Sequence, residues 1–135
     1  MHLAGDFHFC ASFRVIDAAH FHAEITATLG FSPSSTVTRG SPIPHLAGRT
    51  AKHDIWVLDS PISEASNWSE HLRWLDEQLR PHLPYLRSLR QRGVEMDIFL
   101  GYRTDHDCSS FDVSPGAADI ASAIGIPLHV SIIVA

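Results

Sequence analysis

Trp68, Leu72, Leu75, Leu79, Leu83, Leu86 and Leu89 recur at steps of three or four residues, the spacing that stacks side chains on one face of an α-helix. At the head of this seam, Asn67-Trp68-Ser69-Glu70 has the form of a capping box, with Asn67 as cap and Glu70 at the third helical position. Pro81 and Pro84 lie inside the seam. Each removes a backbone donor and crowds the preceding turn, which predicts a kink or break near residues 80–83. Gly93 closes the run.

Elsewhere the pattern is shorter. Residues 7–16 alternate loosely and are rich in aromatic and β-branched side chains, which predicts a strand. Asp17 is placed to cap a helix over 20–29, whose Phe21, Ile25, Thr28 and Leu29 share one face and whose end is marked by Gly30. Residues 35–39 read as a short strand-like piece, and 40–52, with Pro42, Pro44 and Gly48, as an irregular loop. In 54–59, Ile55, Val57 and Asp59 fall on one side of a strand and Trp56 and Leu58 on the other. Residues 94–102 predict a strand, 103–109 a polar loop and 110–113 another strand. Ser114 as cap and Pro115 at the first position open a helix that ends at Gly125. The last strand is expected over 128–134, where an apolar run broken by His129 and Ser131 suits a buried position.

Two stretches resemble each other. Cys10-Ala11-Ser12-Phe13-Arg14-Val15 reads against Cys108-Ser109-Ser110-Phe111-Asp112-Val113, and Glu24–Phe31 against Asp119–Ile126. The expected architecture is therefore a single α+β domain over residues 1–135. It has a mainly antiparallel sheet with helices packed on one face, and two pseudo-repeated strand–helix–strand units.

The 135 residues, 44% hydrophobic and 19% charged, suit one globular domain and argue against disorder. A formal charge of −5 aids solubility, and without a basic stripe no nucleic-acid partner is expected. No stretch approaches the ~18 apolar residues of a membrane span, and the N-terminus shows no signal peptide. No membrane association and a cytoplasmic location are expected. Cys10 and Cys108, each flanked by Phe and Val positions, read as free thiols buried in the core.

Ten histidines raise the question of a metal, yet neither HExxH nor paired CxxC spacing occurs. Asp105-His106-Asp107-Cys108 reads as a solvated loop, and His20 and His22 as exposed side chains. No cofactor or metal is expected. Nucleophilic catalysis would need a Ser or Cys beside an oriented base, and no GxSxG elbow or Gly-rich phosphate loop is present. On the long helix, Glu70 with Arg73 and Glu77 with Arg80 predict weak surface pairs. Arg73, Arg80 and Arg87 recur every seven residues, a docking stripe or, with acids interleaved, a solvated face.

The 40–52 loop is the segment best placed to bind, because long loops inside compact domains often do. Arg39, Arg49, Lys52 and His53 bracket it, and Trp56 and Ser60 follow. These six residues form the candidate ligand or partner site, although Trp56 within DIWVLD also suits the core. No catalytic residue is assigned. The alternative reading is a small enzyme with a noncontiguous site around His53, His106 and Asp107.

An ordered series of elements resembles a known family. It runs through Leu29-Gly30-Phe31-Ser32-Pro33-Ser34, Arg39-Gly40, Trp56-Val57-Leu58-Asp59-Ser60 and Leu79-Arg80-Pro81. It continues with Leu86–Leu89, Phe111-Asp112-Val113-Ser114 and Ile124-Gly125. Together these are similar to the small bacterial domain family DUF4279, from about Phe13 to Val134. The resemblance implies a stand-alone domain of this size with no established activity, so it assigns no catalytic residue. Of the polar and aromatic positions, Arg39, Trp56 and Ser60 match, whereas 45–52 is longer than the pattern. The expected function is a non-catalytic module that binds a protein or a small molecule. An immunity-like protein that blocks a toxin is one version. Self-association as a homodimer is left open.

Overall fold

Alternating apolar positions in Phe7–Ile16 make the central strand, β1, of a five-stranded sheet. The computed structural model describes residues 7–44, 46–105 and 110–134. Phe9, Ala11, Phe13 and Val15 turn to one face of the sheet and are buried, while Cys10, Ser12 and Arg14 turn to the other. β1 pairs antiparallel with β3 (Ile55–Asp59) on one side and with β4 (Glu95–Thr104) on the other. β2 (Ser35–Val37) forms one edge against β3, and β5 (Leu128–Val134) the other edge, parallel to β4. The order is β2-β3-β1-β4-β5. The sheet is thus mostly antiparallel, as expected of this α+β chain.

Among the described residues, the helices cover one face of the sheet. α1 (His22–Leu29) buries Ile25 and Leu29 and ends at Gly30 with φ 80°. The leucine seam forms α2 (Trp68–Leu79) and α3 (Leu83–Gln91), separated by a 3-10 turn at Arg80–His82 where the two prolines interrupt the hydrogen-bond ladder. Asn67 caps α2 by accepting from the Ser69 N–H at 2.8 Å. α4 (Asp119–Ile124) adds Ile120, Ala121 and Ile124 and ends at Gly125. These side chains meet Trp56, Leu58, Met96, Ile98 and Leu100 from the strands in one core.

Several expectations need correction. Residues 110–113 form no strand, so the second half of the proposed repeat lacks its first element and the repeat is not confirmed. The reason lies in α2. Asn67 Nδ2 donates to the Asp112 carbonyl at 2.9 Å, Ser69 Oγ accepts from the Ser114 N–H at 2.8 Å, and Phe111 packs edge-on to Trp68. Backbone groups committed to a helix end cannot join a ladder. Ser114 and Pro115 do not start α4, which begins four residues later behind Ala118.

Asp17 does not cap α1, whose cap is Phe21 with no side-chain bond. Arg80 pairs with Asp76, not Glu77, through two bonds of 2.7 and 2.8 Å. Cys10 is no core thiol: the phase of β1 gives the core side to Phe9 and Ala11 and leaves Cys10 on the uncovered face. Cys108 lies outside the described residues. β5 is a strand as expected but an exposed one, because it stands at the sheet edge beyond the helices.

Candidate functional site

The 40–52 loop folds back on itself. Gly40 N–H donates to Ala51 O, Ala51 N–H to Ser41 O and Ile43 N–H to Arg49 O, with Pro42 bridged to Thr50. This narrow hairpin joins the end of β2 to the start of β3, and these bonds run between its own two arms. Between hairpin and edge lies a cavity of about 510 Å³ walled by Val37, Pro42, Ile43, Pro44, Ala51 and Ile55. Thr36, Ser41, Lys52 and His53 supply its polar groups. A largely apolar recess of this size with a few polar groups is the usual form of a small-molecule site.

His53 is held from outside the cavity. Its Nδ1 donates to Asp17 Oδ2 at 2.8 Å, and Asp17 Oδ1 accepts from the Asp54 N–H at 3.1 Å. Because a carboxylate only accepts, Nδ1 carries the proton and Nε2 is the ring nitrogen left for another partner. Asp17 stands at φ 55°, a left-handed conformation that Asp tolerates better than most residues. The hydrogen bond from His53, followed by that from the Asp54 N–H, holds the Asp17 carboxyl below its ordinary range. Asp54 in turn accepts from the Arg39 N–H at 2.8 Å.

Of the six residues expected to bind, the structure brings two, Lys52 and His53, to this cavity. Arg39 and Arg49 are exposed and do not line it. Trp56 is fully buried, its Nε1–H donating to Thr26 Oγ1 at 3.2 Å, so it serves the core. Ser60 lies at the far end of β3 in contact with His71 Nδ1 at 2.9 Å. His106 and Asp107 lie outside the described residues. Sequence reasoning missed Asp17, Ser41 and the apolar wall. The tolerance of Asp for left-handed backbone was the one local hint for Asp17.

A second recess of about 250 Å³ opens on the uncovered face among His8, Cys10, Glu64, Phe99, Arg103 and Ser131. His8 Nδ1 meets Glu64 Oε2 at 2.6 Å. Burial pushes the Cys10 thiol up from its ordinary value, which leaves it protonated and a poor nucleophile at neutral pH. Beside it, Arg14 grips Asp97 through two bonds of 2.8 and 2.6 Å and lies over the Phe99 ring. Gly101 makes room for the thiol: a Cβ there would stand 2.5 Å from Cys10 Sγ and 3.1 Å from Phe99. Gly101→Ala is therefore expected to cost about 1–3 kcal/mol in urea unfolding. Cys10→Ala in the same chain should recover a good part of that loss, and an additive double variant would refute the clash.

The arginine row is engaged at two of its three members. Arg80 is held by Asp76, and Arg87 Nε donates to the Ala123 carbonyl at 2.8 Å, tying α3 to the end of α4. Among the described residues, no group of three or more His, Cys, Asp or Glu side chains is arranged to hold a metal ion, and no helix is long and apolar enough to cross a membrane.

No curated protein and no solved structure matches the chain. The model of one family, described as a domain of unknown function, matches residues 6–135. That match covers essentially the whole sequence, and the chain belongs to the DUF4279 family.

Proposed function

We propose that this protein is a non-catalytic binding module whose hairpin cavity receives a small molecule with an apolar body and an anionic end. The observation that carries this reading is the chemistry of the cavity: six apolar walls, with the Lys52 ammonium and the His53 ring at the same recess. Lys52 supplies the positive charge for the anionic end, and His53, pinned by Asp17, presents Nε2 as an acceptor for a hydroxyl or N–H of the ligand without having to be ordered on binding. Ser41 supports a binding role over a catalytic one. Its hydroxyl proton goes to the Thr38 carbonyl at 2.6 Å, so His53 is not positioned to take it.

Octanoate, an apolar acid small enough for the recess, is a direct probe. Titrated into labelled protein, it should move the amide signals of Val37, Ile43, Lys52 and His53 at sub-millimolar to millimolar concentration, and octanol should do so more weakly. Lys52→Ala should weaken octanoate roughly fivefold, the scale of one exposed charge pair, and leave octanol unchanged. Shifts confined to other surfaces, or equal binding of acid and alcohol, would remove the basis of the proposal.

A further inference from the structure

β5 is a seven-residue edge strand with no charged side chain. Leu128, Val130, Ile132, Ile133 and Val134 are 38, 50, 56, 55 and 57% exposed. Natural edge strands are usually short, charged, bulged or covered, because their unpaired backbone groups invite another strand. The opposite edge follows that custom: β2 has three residues, and the hairpin stands beside it. β5 does not.

Its backbone phase sharpens the point. Ile98 N–H donates to the Pro127 carbonyl at 3.1 Å, and Ile98 is the register partner of Leu128. In a parallel ladder this turns the backbone groups of residues 127, 129, 131 and 133 toward β4. Leu128, Val130, Ile132 and Val134 then present their N–H and C=O groups to the open edge. The same four residues share a face with Ile98, Leu100, Tyr102 and Thr104, which the helices bury. The outward hydrogen-bonding groups and four of the exposed apolar side chains therefore belong to the same residues.

We infer that β5 pairs antiparallel with β5 of a second copy, across a twofold axis through Ser131 and normal to the sheet. That axis sets Leu128 against Val134 of the other copy and Val130 against Ile132. It preserves the helix-covered face and makes every outward-facing residue a hydrogen-bonded partner. The result is one continuous sheet with an apolar seam on its helix side and the two Ser131 side chains meeting at the axis. A second copy suits this edge better than a foreign strand for two reasons. The spacing is its own complement over the whole length of β5, and the strand carries no charge with which to select a charged partner. Pairing covers the open edge and the flanks of the seam side chains on both copies, on the order of several hundred Å², the size of a weak association that needs high protein concentration.

Sedimentation velocity across micromolar to several hundred micromolar protein should show twice the 14.9 kDa chain mass at the upper end. Val130→Lys and Ile132→Glu alone should each weaken association at least about tenfold. Together they should restore it, because the two new charges of opposite sign face each other across the axis. Both positions are exposed, so folding should survive, and far-ultraviolet circular dichroism checks this. On the unmodified protein, amide exchange at 128, 130, 132 and 134 should slow with increasing concentration, whereas exchange at 129, 131 and 133 should not change. A chain that stays monomeric, with those even-numbered amides exchanging freely, overturns the inference and leaves the edge to a strand of another protein. A dimer indifferent to both single variants, or a double variant that stays monomeric, overturns it equally.

Discussion

Trp68→Ala is expected to cost about 3–5 kcal/mol, a large share of the stability available to a domain of this size. Trp68 is the first residue of α2 and is 2% exposed. Its ring lies edge-on to Phe9 and Phe111 at 5.8 and 4.5 Å between centroids, with Tyr102 at 6.2 Å. Its indole N–H reaches the carbonyls of Gly101 and Cys10, at 3.0 and 3.2 Å, on adjacent strands. One side chain thus joins the first turn of α2, the two central strands and the irregular 110–114 segment. Truncation opens a cavity, loses the aromatic contacts and strands two acceptors. The midpoint of thermal unfolding should fall by about 10 °C or more. Trp68→Phe keeps one aromatic ring and loses the donor and part of the indole volume, so it should cost less, about 1–3 kcal/mol. Equal losses for the two variants would mean that packing contributes little, contrary to the geometry.

The second large effect concerns acid stability. His71 is 1% exposed on α2, with Nδ1 against Ser60 Oγ at 2.9 Å and Nε2 against the Ser63 carbonyl at 3.1 Å. A carbonyl only accepts, so Nε2 carries a proton, and in the neutral ring Nδ1 accepts from the Ser60 hydroxyl. Burial is the main cause of a pKa pushed below the ordinary histidine value, opposed by hydrogen bonds to the backbone at Ser63 and Ser66.

The sign follows from proton counting. Below about pH 6.5 the unfolded chain binds a proton at this site that the folded chain refuses, so stability falls as pH drops from there through the lower folded value. Above it, His71 contributes no slope. His22 is depressed in the same direction by burial and adds to the same window. Asp17 and Glu24, whose pKa values are lowered chiefly by hydrogen bonds from His53 and Tyr85, are lost only in the more acidic carboxylate range. His71→Gln should therefore flatten, without abolishing, the loss of urea stability between about pH 6.5 and 5. His71→Ala should cost about 2–3 kcal/mol at neutral pH, because the Ser60 hydroxyl and Ser63 carbonyl lose their shared partner. An unchanged slope in His71→Gln would show that the ring is not held neutral.

Local signals were legible wherever one stretch of chain carried them complete. The three-and-four spacing of the leucines, the Asn67 cap, the proline break at 80–82 and the left-handed glycines 30, 93 and 125 all appear as read. These features depend on neighbours within about four residues. The phase of β3, with Trp56 and Leu58 inward, was legible for the same reason.

Misreadings arose where a distant segment competed for a residue. Asp17 reads as a cap until His53 and Asp54 claim its carboxylate. Phe111-Asp112-Val113 reads as a strand until Asn67, Trp68 and Ser69 claim its backbone and ring. The candidate site was half legible. A long Pro/Gly loop bracketed by Lys52 and His53 could be picked out, but the cavity needs Val37 and Ile55 from two other segments.

By itself, then, the sequence determined the leucine-seam helices with their Asn67 cap and proline break, the glycine ends of the helices, the five strands of the sheet, the α+β class and the DUF4279 membership. Tertiary structure decided the order β2-β3-β1-β4-β5 and with it which apolar runs are covered. Residues 128–134 are as apolar as a core strand, yet they stand exposed, because strand order depends on pairing between segments far apart in the chain. Periodicity records which face of a strand a side chain takes and is silent on how many neighbours that strand will have.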